Sequence, residues 1–475
     1  MTQNESRITS GQAGSSKPNF VFILIDDWGW TDLACYGSSF YETPSMDKLA
    51  REGIRFTDAY ATCPVCSPTR ASILTGKYPP TLQFTDWIPG FSPKPHHKML
   101  PAPTLKNLPL EEITIAETLK PAGYVSASIG KWHLGARPYY PEHQGFDLNI
   151  GGTESGMPTS HFFPRWNNNP PIEGRDGEYL TDRLTLEAEN FIEKNKERPF
   201  FLYLSHYAVH IPIEAKAEMI SKYQAKSKAG DLQSNSVYAA MIESVDESVG
   251  RILKKLRDTG LEDRTVVILT SDNGGLYTEE PIHGMAMSNH PLRAGKGYLY
   301  EGGIRVPLII RMPQILSGSV CSTPVSSVDF FPTILELAGM YDEGRHDGES
   351  LSPLLRGEDR LKREAIFWHY PHYCIQENPA PMMSNTGIIG GRPGGVIRRG
   401  DYKLIEFYED MRVELYNLRE DIGERNNLAE SKPKLADELR ELLSEWRKNC
   451  GALMPEPNPN YTGELTDTDD RHLIA

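Results

Sequence analysis

The hydrophobic positions of this chain fall into short unbroken runs, and each run ends on polar or ionisable residues. Residues 19–25 form one such run, and Asp26-Asp27 close it. Apolar runs of this length without alternation predict strands buried on both faces, as in a parallel sheet. Residues 124–129 run into Gly130-Lys131-Trp132-His133 in the same way. Residues 199–204 run into Ser205-His206, with His210 and Pro212 just beyond, and residues 265–270 into Ser271-Asp272-Asn273-Gly274-Gly275. Helical segments separate them: 113–119, closed by Pro121-Ala122-Gly123, then 179–194 and 237–258, with Thr43-Pro44 opening another. Strands alternating with helices predict an α/β domain, whose ligands bind outside the carboxyl ends of the strands. Four strand ends that all carry polar or ionisable groups therefore point to one site. Residues 304–312 and 328–335 add a strand and a helix to the same domain.

Beyond residue 345 the pattern changes. Residues 365–368 and 396–398 flank a loop rich in Gly and Pro, and a charged turn separates 402–407 from 413–418, as in an antiparallel hairpin. Residues 435–446 form a closing helix. The predicted fold class is α/β: a large mixed, mostly parallel sheet flanked by helices, plus a smaller C-terminal antiparallel sheet with a packing helix. The expected divisions are a disordered segment 1–16, an α/β domain 17–345, an α+β subdomain 346–455 and a loose acidic tail 456–475. The stretch 84–110 holds six prolines and His96-His97, and irregular loops of that length are uncommon unless they bind or cover something.

Composition narrows the partners. The chain has 475 residues, 39% hydrophobic and 24% charged, with a net charge of −14. That balance argues against a nucleic-acid partner, and an anionic substrate must be met by local positive charge. No run is long enough for a membrane span. Residues 1–16 contain no apolar core of a signal peptide, so the chain as read is expected in the cytoplasm, or in the periplasm or outside the cell if a leader is missing from it. The six cysteines are dispersed and do not form a disulfide framework.

The run Cys66-Ser67-Pro68-Thr69-Arg70 predicts a loop turning into a short helix, with Ser67 as N-cap, Pro68 as first helical residue and Gly76 as the stop. Cys66 would then lie just outside the positive end, with Arg70 about one turn in, an arrangement suited to an anion. Cys63-Pro64-Val65-Cys66 is also a C-x-x-C, a redox pair or half a zinc site, although no second C-x-x-C exists. Two adjacent carboxylates, Asp26 and Asp27, repel, and a cation is the usual reason to hold them at a strand end; a turn with an Asx cap is the plain alternative. Lys131 and His133 share one side of an extended segment. Lys296, between Gly295 and Gly297, sits in a loop that supports no core, so Lys296→Ala should cost activity and little stability.

Taken together and in this order, these motifs resemble the active-site signatures of the type I, formylglycine-dependent sulfatases, the arylsulfatase-like branch of the alkaline phosphatase superfamily. The resemblance rests on Cys66-x-Pro68-x-Arg70 with Thr75-Gly76, on Asp26-Asp27, Lys131-x-His133, His210-x-Pro212, Asp272-Asn273 and Lys296, and it extends over residues 17–430. It implies an alkaline-phosphatase-like catalytic domain, with Cys66, rather than Cys63, converted to formylglycine by a maturation enzyme. It also implies that Asp26, Asp27, Asp272, Asn273 and the converted residue 66 bind one divalent cation. An all-oxygen set independently selects a hard ion, Ca²⁺ or Mg²⁺. The related zinc phosphatases place an Asp-His pair where Asp272-Asn273 stands.

By the same resemblance Arg70, Lys131, His133, His210 and Lys296 are the sulfate-binding and acid–base residues. The hydrated aldehyde would attack sulfur, His210 with Lys296 would protonate the leaving oxygen, and His133 would take the second hydroxyl's proton as sulfate departs. Three aspartates, a divalent cation and three cationic side chains leave such a site about two units positive, which suits a sulfate ester. The expected function is a sulfuric ester hydrolase acting on a sulfated small molecule or sugar, as an exo-acting carbohydrate sulfatase. A formylglycine-dependent phosphatase or phosphonate hydrolase is the nearest alternative. A sulfated-glycan binding protein with an unconverted Cys66 is another. Trp87, His96, His97, His161, Arg165, His283 and Arg293 are candidates for contacts to the sugar, each weighed against an ordinary surface role.

Overall fold

The structure is a computed structural model. It describes residues 17–158, 161–164, 172–226, 232–276, 279–280, 284–285, 287–313, 315, 317–340, 344, 346–374 and 391–463. The expected disordered segment 1–16 lies outside these residues.

A nine-stranded sheet forms the body of the molecule. Its strands are β1 (Asn19–Ile25), β2 (Ile54–Tyr60), β3 (Val125–Gly130), β4 (Leu148–Ile150), β5 (Phe200–Ser205), β6 (Thr265–Ser271), β7 (Arg305–Arg311), β8 (Ser319–Cys321) and β9 (Val325–Ser326). Across the sheet the order is β8-β2-β7-β6-β1-β5-β3-β4, and β9 also pairs with β2. β1 lies between β5 and β6, parallel to both, and β3 continues the parallel set beyond β5. β7 is antiparallel to β2 and β6, so it alone runs against the others. The mixed, mostly parallel sheet is as predicted.

The unbroken apolar runs are explained by burial on both faces. Within β1, Val21, Ile23 and Ile25 face one core with Leu184, Met241 and Val245, while Phe20, Phe22 and Leu24 face a second core with Leu74, Phe330 and Ile334. Fully burying each such side chain is worth about 1.5–3 kcal/mol before chain entropy is set against it. Among the described residues the longer helices are α1 (Pro44–Glu52), α2 (Cys66–Thr75), α3 (Leu180–Lys194), α4 (Ala217–Lys226), α5 (Ser236–Asp258), α6 (Phe330–Leu337) and α7 (Pro433–Asn449), and those covering the first face include α3 and α5. Asn235 caps α5, its side chain accepting from the N–H groups of Val237 and Tyr238.

The smaller sheet is antiparallel: β10 (Ala365–Tyr370), β11 (Gly394–Arg399), β12 (Tyr402–Phe407) and β13 (Val413–Asn417). Helix α7 (Pro433–Asn449) covers one face through Ala436, Leu439 and Leu443 on Ile397, Leu404 and Leu415. The other face, with Trp368, Val396 and Ile405, packs on Tyr60, Cys63, Tyr298 and Ile304 of the larger unit. The small sheet is therefore pressed against the segments that flank Cys66 and Lys296.

Of the tail expected to be loose, residues 456–463 are described and 464–475 lie outside the described residues. Glu456-Pro457 pair with Met99-Leu100, and Asn458 donates to the carbonyls of Lys98 and His97. Residues 456–463 are docked on the long proline-rich loop by backbone pairing, which needs no apolar side chains and so leaves no hydrophobic signal.

Candidate active site

The parallel strands bring their carboxyl ends to one edge. β1 delivers Asp26 and Asp27, β3 delivers Lys131, β5 ends on Ser205, and β6 delivers Asp272 and Asn273. β2 enters the same edge and leads into the helix α2 (Cys66–Thr75). The reversed β7 begins where the others end, so the loop before it, with Lys296, reaches the same place. At the end of β3 the chain turns through Gly130 at φ +100°, where a Cβ would lie 1.9 Å from the Ser205 carbonyl oxygen. Only glycine fits there. Asp27 and His133 are themselves held at left-handed φ of 57° and 59°. Such backbone is uncommon for these residues and clusters at functional sites.

Helix α2 differs from expectation at its start. Val65 is its N-cap and Cys66 its first residue, so Ser67 lies inside the first turn and makes no cap bond. Thr69 does the bracing instead: its Oγ1 accepts from the Cys63 N–H at 3.1 Å and lies 3.1 Å from the Cys63 carbonyl oxygen. Ser67 turns its hydroxyl to the Ile88 N–H at 3.3 Å. Gly76 ends the helix at φ +71°, as expected.

The carboxylates of Asp26, Asp27 and Asp272 are buried, with oxygens within 4.8 Å of one another. Lys131 Nζ reaches Asp26 Oδ2 at 2.7 Å, and Arg70 bonds Asp272 Oδ2 through Nε at 2.8 Å and Nη2 at 2.7 Å. Arg70 Nη1 also donates to Ser205 Oγ at 2.6 Å and to the Lys131 carbonyl at 3.1 Å. Lys296 Nζ lies 2.7 and 2.9 Å from the two oxygens of Asp27, and Asn273 Nδ2 donates to Asp27 Oδ1 at 2.8 Å. Lys296 is thus a largely enclosed ion-pair partner, with its side chain 14% exposed, and not a lysine on a free loop. Cys66 Sγ lies 3.3 Å from His133 Nδ1. His210 Nε2 lies 3.5 Å from Asp27 Oδ2, and its Nδ1 is 2.8 Å from the Ile211 carbonyl.

The electrostatics follow from dryness and crowding. Burial would raise Asp27, but the charges of Lys296 and, further off, Lys131 outweigh it and hold the carboxyl below the usual range. Asp272 is likewise lowered, because Arg70 and Lys131 outweigh burial. Asp26 is raised, since burial, with Asp272 and Asp27 close by, prevails over Lys131. Burial and Lys296 push His210 down to about 3, and burial and Lys131 push His133 well below its ordinary value. Both histidines are therefore neutral in this arrangement.

The set fits a hard cation. The oxygens come from three carboxylates and one amide, and two of them, Asp26 Oδ1 and Asn273 Oδ1, are buried and accept no hydrogen bond, Asp26 Oδ1 having the Arg70 guanidinium at 3.4 Å as an ion-pair neighbour. Unsatisfied buried oxygens of this kind are costly unless a ligand takes them up.

Of the candidates for sugar contacts, His97 is buried and stacked on Tyr373 at 4.0 Å, and Arg293 lies 3.9 Å over the Tyr300 ring while donating to Tyr416 and the Glu424 carbonyl. Those two are committed to the fold. His161 is 3.4 Å from Glu214, Trp87 packs on Phe91, and His96 packs on His97. Arg165 and His283 lie outside the described residues. Sequence reasoning missed two partners, the Ser205 hydroxyl on Arg70 and the Ile88 carbonyl on His133 Nε2 at 2.7 Å. Ser205 stands at a strand end and was open to the same argument as its neighbours; a backbone carbonyl carries no sequence signal.

A fold of this kind with acids, cations and a cysteine at one sheet edge defines a hydrolase of the alkaline phosphatase superfamily. A family model for sulfatases matches residues 18–340, and a model for the C-terminal region of N-sulphoglucosamine sulphohydrolase matches residues 294–449. A sulfatase of Formosa agariphila is 32% identical over 530 residues, covering 92% of each chain. The N-acetylgalactosamine-6-sulfatase of Homo sapiens is 34% identical, covering 76% of this chain and 70% of its own. The crystal structure of Ps i-CgsB in complex with k-i-k-neocarrahexaose has a TM-score of 0.73 and 28% identity, covering 96% of this chain and 97% of that one. The chain belongs to the sulfatase family and is a sulfuric ester hydrolase.

Proposed function

We propose that this enzyme removes sulfate from a sulfated carbohydrate, with residue 66 as formylglycine and one divalent cation, Ca²⁺ or Mg²⁺. The observation that carries the reading is the convergence of Asp26, Asp27 and Asp272 with Arg70, Lys131 and Lys296 beside the helix that begins at Cys66. Asp26, Asp27, Asp272 and Asn273, with an oxygen of the converted residue 66, would hold the cation, whose chemistry is to polarise sulfate oxygens. Formylglycine supplies a hydrated aldehyde as nucleophile.

The chain's own residues do the rest. Arg70, Lys131 and Lys296 offset the charge that spreads over the sulfate oxygens as the ester bond breaks. His133 Nδ1 faces residue 66 and accepts a proton there. His210 keeps its Nδ1 proton on the Ile211 carbonyl and presents Nε2 with a free lone pair, so Nε2 must first take up a proton, and from there, with Lys296, that proton passes to the leaving oxygen. Positioned acids and bases of this kind contribute about 10²–10⁴-fold each.

The sugar class is supported by the relatives: one is named for N-acetylgalactosamine-6-sulfate hydrolysis, and another is seen with an oligosaccharide. Cys66, Lys131 and His133 are each 2% exposed or less, so the sulfate group must be taken in among enclosed side chains. Enclosure of this kind favours the terminal unit of a sugar chain, hence exo action. A formylglycine-generating maturation enzyme is the implied partner. The test is a mass spectrum of the tryptic peptide 56–70 from native-host protein, followed by sulfate release from a panel of sulfated sugars. The expected result is formylglycine at residue 66, cysteine at residue 63, and release from at least one sugar. An unconverted residue 66 in protein co-produced with a maturation enzyme, together with sulfated sugars bound but not cleaved, would overturn the reading.

A further inference from the structure

His133 has two ring nitrogens and two very different neighbours. Nε2 lies 2.7 Å from the Ile88 carbonyl oxygen, and Nδ1 lies 3.3 Å from Cys66 Sγ. A carbonyl oxygen only accepts, so Nε2 must carry a proton in either charge state of the ring, and Nδ1 is the atom left to exchange one with residue 66. Which nitrogen works is therefore decided by where the Ile88 carbonyl points.

That carbonyl belongs to an irregular turn, and three contacts hold the turn from outside. The Ile88 N–H donates to Ser67 Oγ at 3.3 Å, which ties the turn to the first turn of α2. Asp86 Oδ1 accepts from the Trp87 N–H at 2.9 Å and from the Tyr370 hydroxyl at 3.2 Å. Thr85 Oγ1 meets His372 Nε2 at 2.8 Å. Tyr370 and His372 come from the last residue of β10 and the segment just after it. Asp86, Tyr370 and His372 are all buried, and none is among the residues assigned above to sulfate, cation or proton transfer. Their contacts to the turn connect the small sheet to the orientation of a ring in the active site.

We propose that Asp86 and Tyr370 are positioning residues: they lock the turn so that the Ile88 carbonyl accepts a hydrogen bond from His133 Nε2–H and leaves Nδ1 facing residue 66. The catalytic meaning of this lock rests on the sulfatase reading above; the lock itself does not. This is the logic by which a ligand or base imidazole is oriented through its remote nitrogen.

The test uses the full-length protein with ¹⁵N-labelled imidazoles, His133→Gln identifying the His133 signals. In the parent protein long-range ¹H–¹⁵N correlation should show the Nε2–H form. Tyr370→Phe removes one hydroxyl and keeps the ring, and Asp86→Ala removes the anchor. Both should give mixed tautomers at His133, and kcat for a sulfated sugar should fall about 10-fold or more with KM within about twofold. A merely structural role would lower the melting temperature and leave the tautomer and the kcat-to-KM split alone. If Asp86→Ala fails to fold, Tyr370→Phe decides. A parent His133 carrying its proton on Nδ1, or a Tyr370→Phe protein with unchanged tautomer and kcat, would overturn the proposal. A protein that shows the lock but hydrolyses no sulfate ester would leave the lock standing and remove the sulfatase reading instead.

Discussion

Lys296 Nζ lies between the two oxygens of Asp27, at 2.7 and 2.9 Å, although the residues are 269 positions apart. Asp27 outweighs the burial of Lys296 and holds the ammonium above its ordinary pKa. Removing one member of a buried pair leaves the other uncompensated, at a cost of about 3–5 kcal/mol. A bound cation would supply the missing charge. Lys296→Ala should therefore lose activity, melt well below the parent in chelator, and recover most of the difference when Ca²⁺ is added. The Ca²⁺-induced rise in melting temperature should be larger in the variant than in the parent, since Asp27 no longer has a competing partner. Equal rises would show that Asp27 takes no part in holding the cation.

Arg70 makes a second, tighter prediction. Its guanidinium bonds Asp272, Ser205 and the Lys131 carbonyl at once, all in a dry interior. Arg70→Met should cost about 3–5 kcal/mol in urea unfolding, because Asp272 is left as an unpaired buried charge. Arg70→Lys keeps the charge but cannot reach three acceptors from one ammonium, and each acceptor left unpaired costs about 1–3 kcal/mol. It should be intermediate in stability and still far below the parent in activity. An Arg70→Lys protein with parental stability would mean that the planar fork is unimportant here.

These residues were legible because the chain announces them locally. Asp26-Asp27, Lys131 and Asp272-Asn273 each stand where an apolar run stops, and a strand's end is set by that run. Lys296 was legible only as a motif. Its place depends on β7 running against its neighbours, and the direction of a strand is a property of pairing. Ser67 failed as a cap for a related reason: Thr69 reaches back to Cys63, and Ser67 turns to Ile88, a contact 21 residues away in sequence. His97 and Arg293 read as loop residues, either ordinary surface ones or sugar contacts, because stacking on Tyr373 and Tyr300 cannot be read from spacing.

The docked tail yields a prediction about the proline-rich loop. Asn458 donates its N–H to the Lys98 carbonyl and its amide to the His97 and Lys94 carbonyls, at 2.8, 2.8 and 3.3 Å. The side-chain bonds are worth about 1–2 kcal/mol together, and they bear on local opening rather than on the whole fold. Asn458→Ala should speed limited proteolysis within residues 92–98 roughly tenfold, with little change in the global melting temperature. Unchanged cleavage would mean that the backbone pairing at Met99-Leu100 alone holds the loop.

The buried cluster under the small sheet gives the clearest pH dependence. Lys403 Nζ lies 2.9 Å from Glu301 and 2.8 Å from Glu424, and all three side chains are fully buried. One ammonium cannot compensate two carboxylates equally. Glu301 also holds Arg305 at 2.6 Å, and Lys403 and Arg305 outweigh its burial, so it stays below its ordinary range. Glu424 is pushed up to about 7 from 4.5, by burial first and by Glu301, against the pull of Lys403. Because the folded pKa is the higher one, the folded state holds a proton that the unfolded chain has already released between pH 4.5 and about 7. Stability from this group is therefore complete below 4.5 and is lost as the pH rises through about 7. A shift of this size corresponds to an upper figure of about 3 kcal/mol. Glu424→Gln cannot ionise, so it should lose less stability than the parent between pH 5 and pH 8. The parent-minus-variant difference in melting temperature should fall from pH 5 to about 7 and then level off, read in buffers of matched ionic strength. A difference that stays flat, or rises with pH, would mean that Glu424 is ionised throughout and that Lys403 compensates both carboxylates after all.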